Sequence, residues 1–188
     1  ARSGKSKKFQ EAVRENYANE LIFGIVGPVG SGTSEIAKQL AHLLKNAGYE
    51  SAVLTAREII RKAAAKHNIK IPDERSIEQA IAFQDAGDSL RKQTEDNSAV
   101  AVGFVRQIRA SRASSSGIKD PHEVVEPDGK LRAYILDTLR HPHEVLLLRR
   151  VYQEAFSLIG VHCQEDVRKD RLKERKYRDA STDGIERF

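Results

Sequence analysis

Eight residues near the start of the chain, Gly27-Pro28-Val29-Gly30-Ser31-Gly32-Thr33-Ser34, carry the strongest chemical signal. Closely spaced glycines let the backbone curl so that successive N–H groups point inward, and such a nest takes an anion. The nest follows an apolar run at 21–26 and opens a helical pattern, so a positive helix end adds to the attraction. Strand, glycine loop and helix in that order are the context of the phosphate-binding loop G-x-x-x-x-G-K-[ST]. Gly27, Gly30, Ser31, Gly32, Thr33 and Ser34 are therefore the candidate phosphate-binding residues, and Ser34 takes the position whose hydroxyl ligates Mg²⁺. Thr33 departs from the motif. A Lys normally stands there, reaches the β- and γ-phosphates and offsets charge during transfer. No Lys or Arg follows in the loop before Lys38. Nucleotide binding stays open to such a loop, whereas efficient phosphoryl transfer is disfavoured. A glycine-rich turn without a ligand is the plainer alternative.

Two further groups fit phosphate chemistry. Tyr134-Ile135-Leu136 reads as a strand closed by Asp137. At the C-terminal edge of a parallel sheet this carboxylate sits where it can hold Mg²⁺ through water, and Arg140 follows within reach of a phosphate. The pair resembles the strand Asp and nearby Arg of adenylate-kinase-like enzymes. Arg168, Arg171 and Arg175 recur on one face of a basic helix and are similar to the arginine-bearing lid of such kinases. An Asp that merely ends a strand and a solvated helix face are the alternatives. His141-Pro142-His143 is set aside as a metal site because Pro spaces the rings poorly, and Cys163 reads as a core cysteine ending a buried strand.

These groups need elements to hold them. Strands are expected at 21–26, 49–54, 133–136 and 156–161. A helix from Ser34 places Ile36, Ala37, Leu40, Ala41, Leu44 and Ala47 on one face and stops at Gly48. Others are expected over 57–66, from a Ser76-x-x-Gln79 capping box to about Thr94, from an Asn97 cap onward, and after Pro142, the last carrying Val145, Leu146, Leu148 and Val151. Residues 111–130 read as an exposed loop, with consecutive serines and no apolar period. Strands alternating with helices imply an α/β three-layer sandwich on a parallel sheet. Residues 1–19 are assigned as a basic tail and 20–188 as the nucleotide-binding domain.

The chain has 188 residues, 39% hydrophobic and 31% charged, with a net charge of +5. Residues 168–178 hold seven bases and two acids, and residues 1–8 hold four bases, so the remainder is acidic on balance. Basic ends suit phosphates, but 6% aromatics and no Trp argue against a base-stacking nucleic-acid platform. One cysteine excludes an internal disulfide and an all-cysteine zinc site. No apolar run approaches a membrane span and the basic start lacks an apolar core, so no membrane partner and a cytoplasmic location are expected.

Beyond the loop, residues 72–109 (PDERSIEQAIAFQDAGDSLRKQTEDNSAVAVGFVRQIR) and 135–163 (ILDTLRHPHEVLLLRRVYQEAFSLIGVHC) resemble the N-terminal domain of the anti-phage deoxycytidylate (dCTP/dCMP) deaminases. The resemblance covers most of 20–188. It implies a P-loop kinase-like domain coupled to a C-terminal zinc-dependent deaminase that converts dCTP or dCMP to dUTP or dUMP and depletes the nucleotide pool of a phage. The deaminase motifs, H-x-E with P-C-x-x-C, are absent from these residues, so no catalytic residue is transferred. The phosphate-loop positions are, and the family's loop similarly lacks the Lys, which implies nucleotide sensing. The expected cofactors are a nucleoside triphosphate with Mg²⁺ and, in the deaminase part, zinc. The expected partners are nucleotides, that deaminase domain and further copies of the chain in a homo-oligomer. Kinase-like P-loop domains usually have five strands, and a fifth is expected beyond Phe188. A free-standing P-loop kinase is the rival expectation, with Asp137 and Ser34 on Mg²⁺ and Arg140, Arg171 and Arg175 on the transferring charge.

Overall fold

A computed structural model describes residues 19–74, 76–118 and 128–173. The tail at 1–18, Arg175 and part of the expected loop, 119–127, lie outside the described residues. Among the described residues, four strands form one parallel sheet in the order β2-β3-β1-β4: β1 Glu20–Val26, β2 Glu50–Thr55, β3 Arg132–Asp137 and β4 Phe156–Gly160. Among the same residues, six α-helices accompany them: α1 Thr33–Asn46, α2 Ala56–Lys66, α3 Ile77–Thr94, α4 Ala99–Ser115, α5 Pro142–Tyr152 and α6 Glu165–Arg171. The expected α/β sandwich is the observed one.

Alternation along the strands divides the core between two faces. Phe23, Ile25, Val53 and Ile135 meet Ala37, Leu40, Ala41 and Leu44 of α1. Ile22, Tyr134, Leu136 and Phe156 meet α2, α4 and α5 through Ile59, Phe104, Ile108 and Leu148. Each strand of the buried centre therefore covers a helix on both sides, and β3 is buried from Arg132 to Leu136. Helix α3 packs outside, on α2 and α4.

Several local expectations change. Ile36, Leu146 and Val151 are exposed, because the stripe actually buried on α1 and α5 is narrower than the apolar pattern. Ser76 does accept from Gln79 N, but the Gln79 side chain donates to Pro72 O and Asp73 O, so the reciprocal half of the box is missing. Asn97 does not cap α4. Asp96 accepts from the N–H and hydroxyl of Ser98 instead, and Ser98 is the N-cap. Residues 111–115 are helical: Arg112 pairs with Glu20, Ser115 donates to Ser111 O, and the helix stops at Gly117 with φ 71°. That last turn earns its place through an ion pair, which leaves no apolar period to read. Strand β4 is an edge with Ser157 and Leu158 exposed, and Cys163 lies half-buried in the turn beyond it, not in the core.

The N-terminal edge of the sheet is fastened by charge. Arg132 is 5% exposed and reaches Glu20, Glu50 and Asp128, while Glu20 also takes Arg112. The Arg132 guanidinium holds the Asp128 carboxyl down from 3.8 to about 2. A depressed carboxyl stabilises the fold above pH 3.8 and loses that contribution as pH falls toward 2. Asp128→Asn should therefore flatten the decline of the unfolding midpoint between pH 4 and pH 2, measured by thermal denaturation.

Gly103 of α4 lets α2 approach: a Cβ there would lie 2.4 Å from Ile59 Cγ2. Gly103→Ala should destabilise by about 1–3 kcal/mol through overpacking, more than the ~1 kcal/mol gained in helix propensity. In an Ile59→Ala background the same change should stabilise. Urea denaturation of the four proteins checks the reversal of sign.

Candidate phosphate-binding site

The register places the ends of β1, β3 and β2 level, with Ile25 opposite Asp137 and Asp137 opposite Thr55. Strand β1 continues to α1 on one face and β3 continues to α5 on the other. Neighbouring strands whose connections part in this way leave a crevice at their C-terminal ends, where open α/β sheets bind ligands. The Gly27–Ser34 loop forms one wall of this crevice and Asp137–Arg140 the other.

The loop has the conformation its glycines permit. Gly30 and Gly32 have φ of 87° and 98°, and Gly32 is the N-cap of α1. The Ser31 N–H donates to Pro28 O, closing a tight turn. At Gly27 a Cβ would meet Val161 O at 2.6 Å and Ser31 Oγ at 2.7 Å, so no larger residue fits the start of the curl. Ser31 is buried, and its hydroxyl has no hydrogen-bond partner among the described residues. Ser34 is exposed at the start of α1. Thr33 is 9% exposed and points into the fold, its Cγ2 2.9 Å from the Cβ position of Gly27. The residue at the lysine position thus packs against the loop from within.

Across the crevice, Arg140 Nη1 donates to Gly27 O at 2.9 Å. Partial removal of its guanidinium from water lowers the Arg140 pKa; Asp137 opposes this, Arg57 reinforces it and Glu144 opposes it. The residue keeps an exposed part and an arginine remains charged at neutral pH, so the cation is available to a phosphate. Asp137 is half-buried, and its buried Oδ1 has no hydrogen-bond partner among the described residues. Orphaned carboxylate oxygens of this kind suit a hydrated cation. Ser34 and Asp137 are the residues that would hold Mg²⁺, one directly and the other through water. The described residues hold no cluster of three or more His, Cys, Asp or Glu side chains able to bind a metal.

Helix α6 covers the loop. Arg168 is 8% exposed and donates to Val29 O at 3.2 Å. Leu172, just after α6, is fully buried with Val29 of the loop and Ile77 and Ala80 of α3, and its Cγ lies 2.9 Å from the Cβ position of Gly30. Arg171 Nη1 stands 4.0 Å from the Cβ position of Gly32 and donates to Cys163 Sγ at 3.6 Å. The structure thus brings Gly27, Gly30, Ser31, Gly32, Thr33, Ser34, Asp137, Arg140 and Arg171 to one place.

Sequence reasoning missed Arg57, Arg91, Glu144 and Leu172. Glu144 had a signal, since His141-x-x-Glu144 has the spacing of a capping box, and the structure forms one. The His141 ring caps α5 by accepting from His143 N at 3.2 Å. Leu172 is an apolar residue within a basic stretch, a position that only packing explains.

The profile of the AAA domain family matches residues 24–187. The chain belongs to this AAA domain family. Its match spans both walls of the crevice and α6, and the family is one of P-loop, kinase-like NTPases. No curated protein matches the chain. Nucleotide binding at the loop fits this membership, and no helix among the described residues is long and apolar enough to cross a membrane.

Leu172 joins the AAA domain's loop to α6 through a cluster separate from the main core. Leu172→Ala should cost about 2–5 kcal/mol where it acts. Loss of protection in native-state hydrogen exchange should therefore be confined to α6 and the loop, with the amides of β1 and β3 unchanged.

Proposed function

We propose that this AAA domain binds a nucleoside triphosphate with Mg²⁺ and acts as the nucleotide-binding regulatory part of an anti-phage deoxycytidine nucleotide deaminase. One observation carries the binding half of this reading. The loop keeps its cradle and its helix end, but its lysine position is a buried threonine. The site therefore offers backbone N–H groups and flanking arginines to a bound polyphosphate while lacking the mobile cation that follows a phosphoryl group in transfer. Bound nucleotide bias between two states of an attached enzyme requires different affinity in each. Helix α6 touches the loop through Arg168 and Leu172, which gives a bound nucleotide a neighbouring element to act on. The deaminase half rests on the sequence resemblance of residues 72–109 and 135–163. In that reading zinc and the general acid/base Glu belong to the deaminase part, which holds the reaction.

The rival is a nucleotide or small-molecule kinase, favoured by Arg140 and Arg171 beside the loop and by Asp137 at the strand end. The two readings part in a calorimetric titration and a turnover assay. The domain should bind a nucleoside triphosphate in the presence of Mg²⁺ without measurable phosphoryl transfer. Gly32→Ala, strained at φ 98°, should weaken binding about tenfold, or ~1.4 kcal/mol. Ready ATP turnover by the unaltered protein, raised further by Thr33→Lys, would favour the kinase. The deaminase reading requires the protein from its native source to exceed 21.0 kDa and carry about one zinc per chain. A zinc-free protein of 21.0 kDa would end it.

A further inference from the structure

Among the described residues, Glu144 is the charged side chain with the least exposure, 0%. A glutamate in the first turn of a helix needs only to accept one N–H to complete a capping box, and it does so at the surface. Burying a carboxylate is costly unless it is paired and its lone pairs are filled. Here the carboxylate is paired and takes three donors, two from the turn before α5 and one from α3. Glu144 Oε2 accepts from Arg140 N at 2.7 Å and from His141 N at 3.2 Å. Glu144 Oε1 accepts from Arg91 Nη2 of α3 at 2.6 Å. Arg91 is itself largely buried, with a second carboxylate, Asp88, at 3.0 Å.

The turn held in this way is the one that carries Arg140. Leu139 N donates to Ile25 O at 2.9 Å, and Arg140 N donates to Glu144, so consecutive peptides are anchored, one to β1 and one to α5. From that fixed backbone the Arg140 side chain reaches Gly27 O. Helix α3 braces the arrangement at both ends: Arg91 near its C-terminus grips Glu144, and Ile77 and Ala80 at its N-terminus pack with Leu172 and Val29.

We propose that Glu144, clamped by Arg91, is a positioning residue that fixes Arg140 at the mouth of the phosphate loop and thereby sets the affinity of the site for a nucleoside polyphosphate. The affinity half rests on the nucleotide-binding reading of that loop. Glu144 touches no ligand in this scheme and acts through Arg140. The scheme differs from a simple helix cap, whose loss would weaken the fold without regard to what Arg140 does.

Two readouts test it. The first needs no ligand: the order of the Arg140 Nε–Hε group, measured by NMR relaxation in the whole chain. In Glu144→Gln, which keeps an oxygen for the backbone N–H groups but loses the ion pair, that group should become disordered. Arg140 as rigid in Glu144→Gln as in the unaltered protein overturns the positioning role. The second is a calorimetric titration with MgATP in a double-mutant cycle. Arg140→Ala and Glu144→Gln should each weaken binding about five- to tenfold, and Glu144→Gln should add less than twofold in the Arg140→Ala background. Equal factors in both backgrounds overturn the proposal and leave Glu144 a cap. Should Glu144→Gln fail to fold, Arg91→Lys, which retains charge but not the reach to Oε1, should show the same loss of order and the same non-additivity. Absence of MgATP binding by the unaltered protein, with Arg140 order still lost in Glu144→Gln, would overturn the nucleotide reading and its affinity consequence while supporting the positioning contact.

Discussion

Two adjacent parallel strands whose continuations leave on opposite faces of the sheet cannot close the gap between their ends. In this chain β1 and β3 are that pair, and the remaining parts of the site follow from their register. Because Ile25 lies opposite Asp137, the glycine loop starts beside a carboxylate, and the turn after β3 brings Arg140 back to the loop's first carbonyl. The main-chain bond from Leu139 N to Ile25 O continues the pairing past the strands and keeps the two walls at fixed separation. Without that pairing, Asp137 would not end beside the start of the loop and the Arg140 guanidinium would not reach it.

Within this frame the loop combines a complete cradle with an incomplete charge set. Its glycines adopt the left-handed conformations that a phosphate-binding nest requires, and that part is indifferent to what is bound beyond a phosphate. The cations around it come from elsewhere, Arg140 from the β3 turn and Arg168 and Arg171 from α6. A lysine on the loop's own helix would travel with the loop. Arginines on separate elements tie the response to a ligand to how those elements are held, which is why a buried carboxylate on α5 and a leucine after α6 matter to the site.

The glycine loop, the strand that leads into it, Asp137 and Arg140 were legible because local backbone chemistry writes itself in residue type and spacing. The same is true of the α/β alternation and of the Gly48 stop. What was not legible depends on distant partners. Ser111–Ser115 has no apolar period, and its helical turn is held by Arg112 reaching Glu20 at the far end of β1. Asn97 has the side chain of a capping residue, but the turn after α3 makes Ser98 the N-cap and lets Asp96 accept from it. Glu144 has in the sequence no more than the spacing of a capping residue after His141. Only the arrival of Arg91 from α3 turns it into the buried centre of a network.

The fastening of the opposite edge by Arg132 has a consequence for how this domain can change. Strands of this length separate the Arg132 cluster from the loop by about 20 Å, roughly twice the distance over which charges in physiological salt feel one another. At that separation the ion pairs that secure β1, β2, β3 and α4 couple only weakly to the charges that line the crevice. A lineage can exchange a lysine for Thr33, or move its cations from the loop to neighbouring helices, without disturbing what holds the sheet together. Anchorage sits at one edge of the sheet and the candidate ligand chemistry at the other, so changes at one edge leave the other's contacts in place.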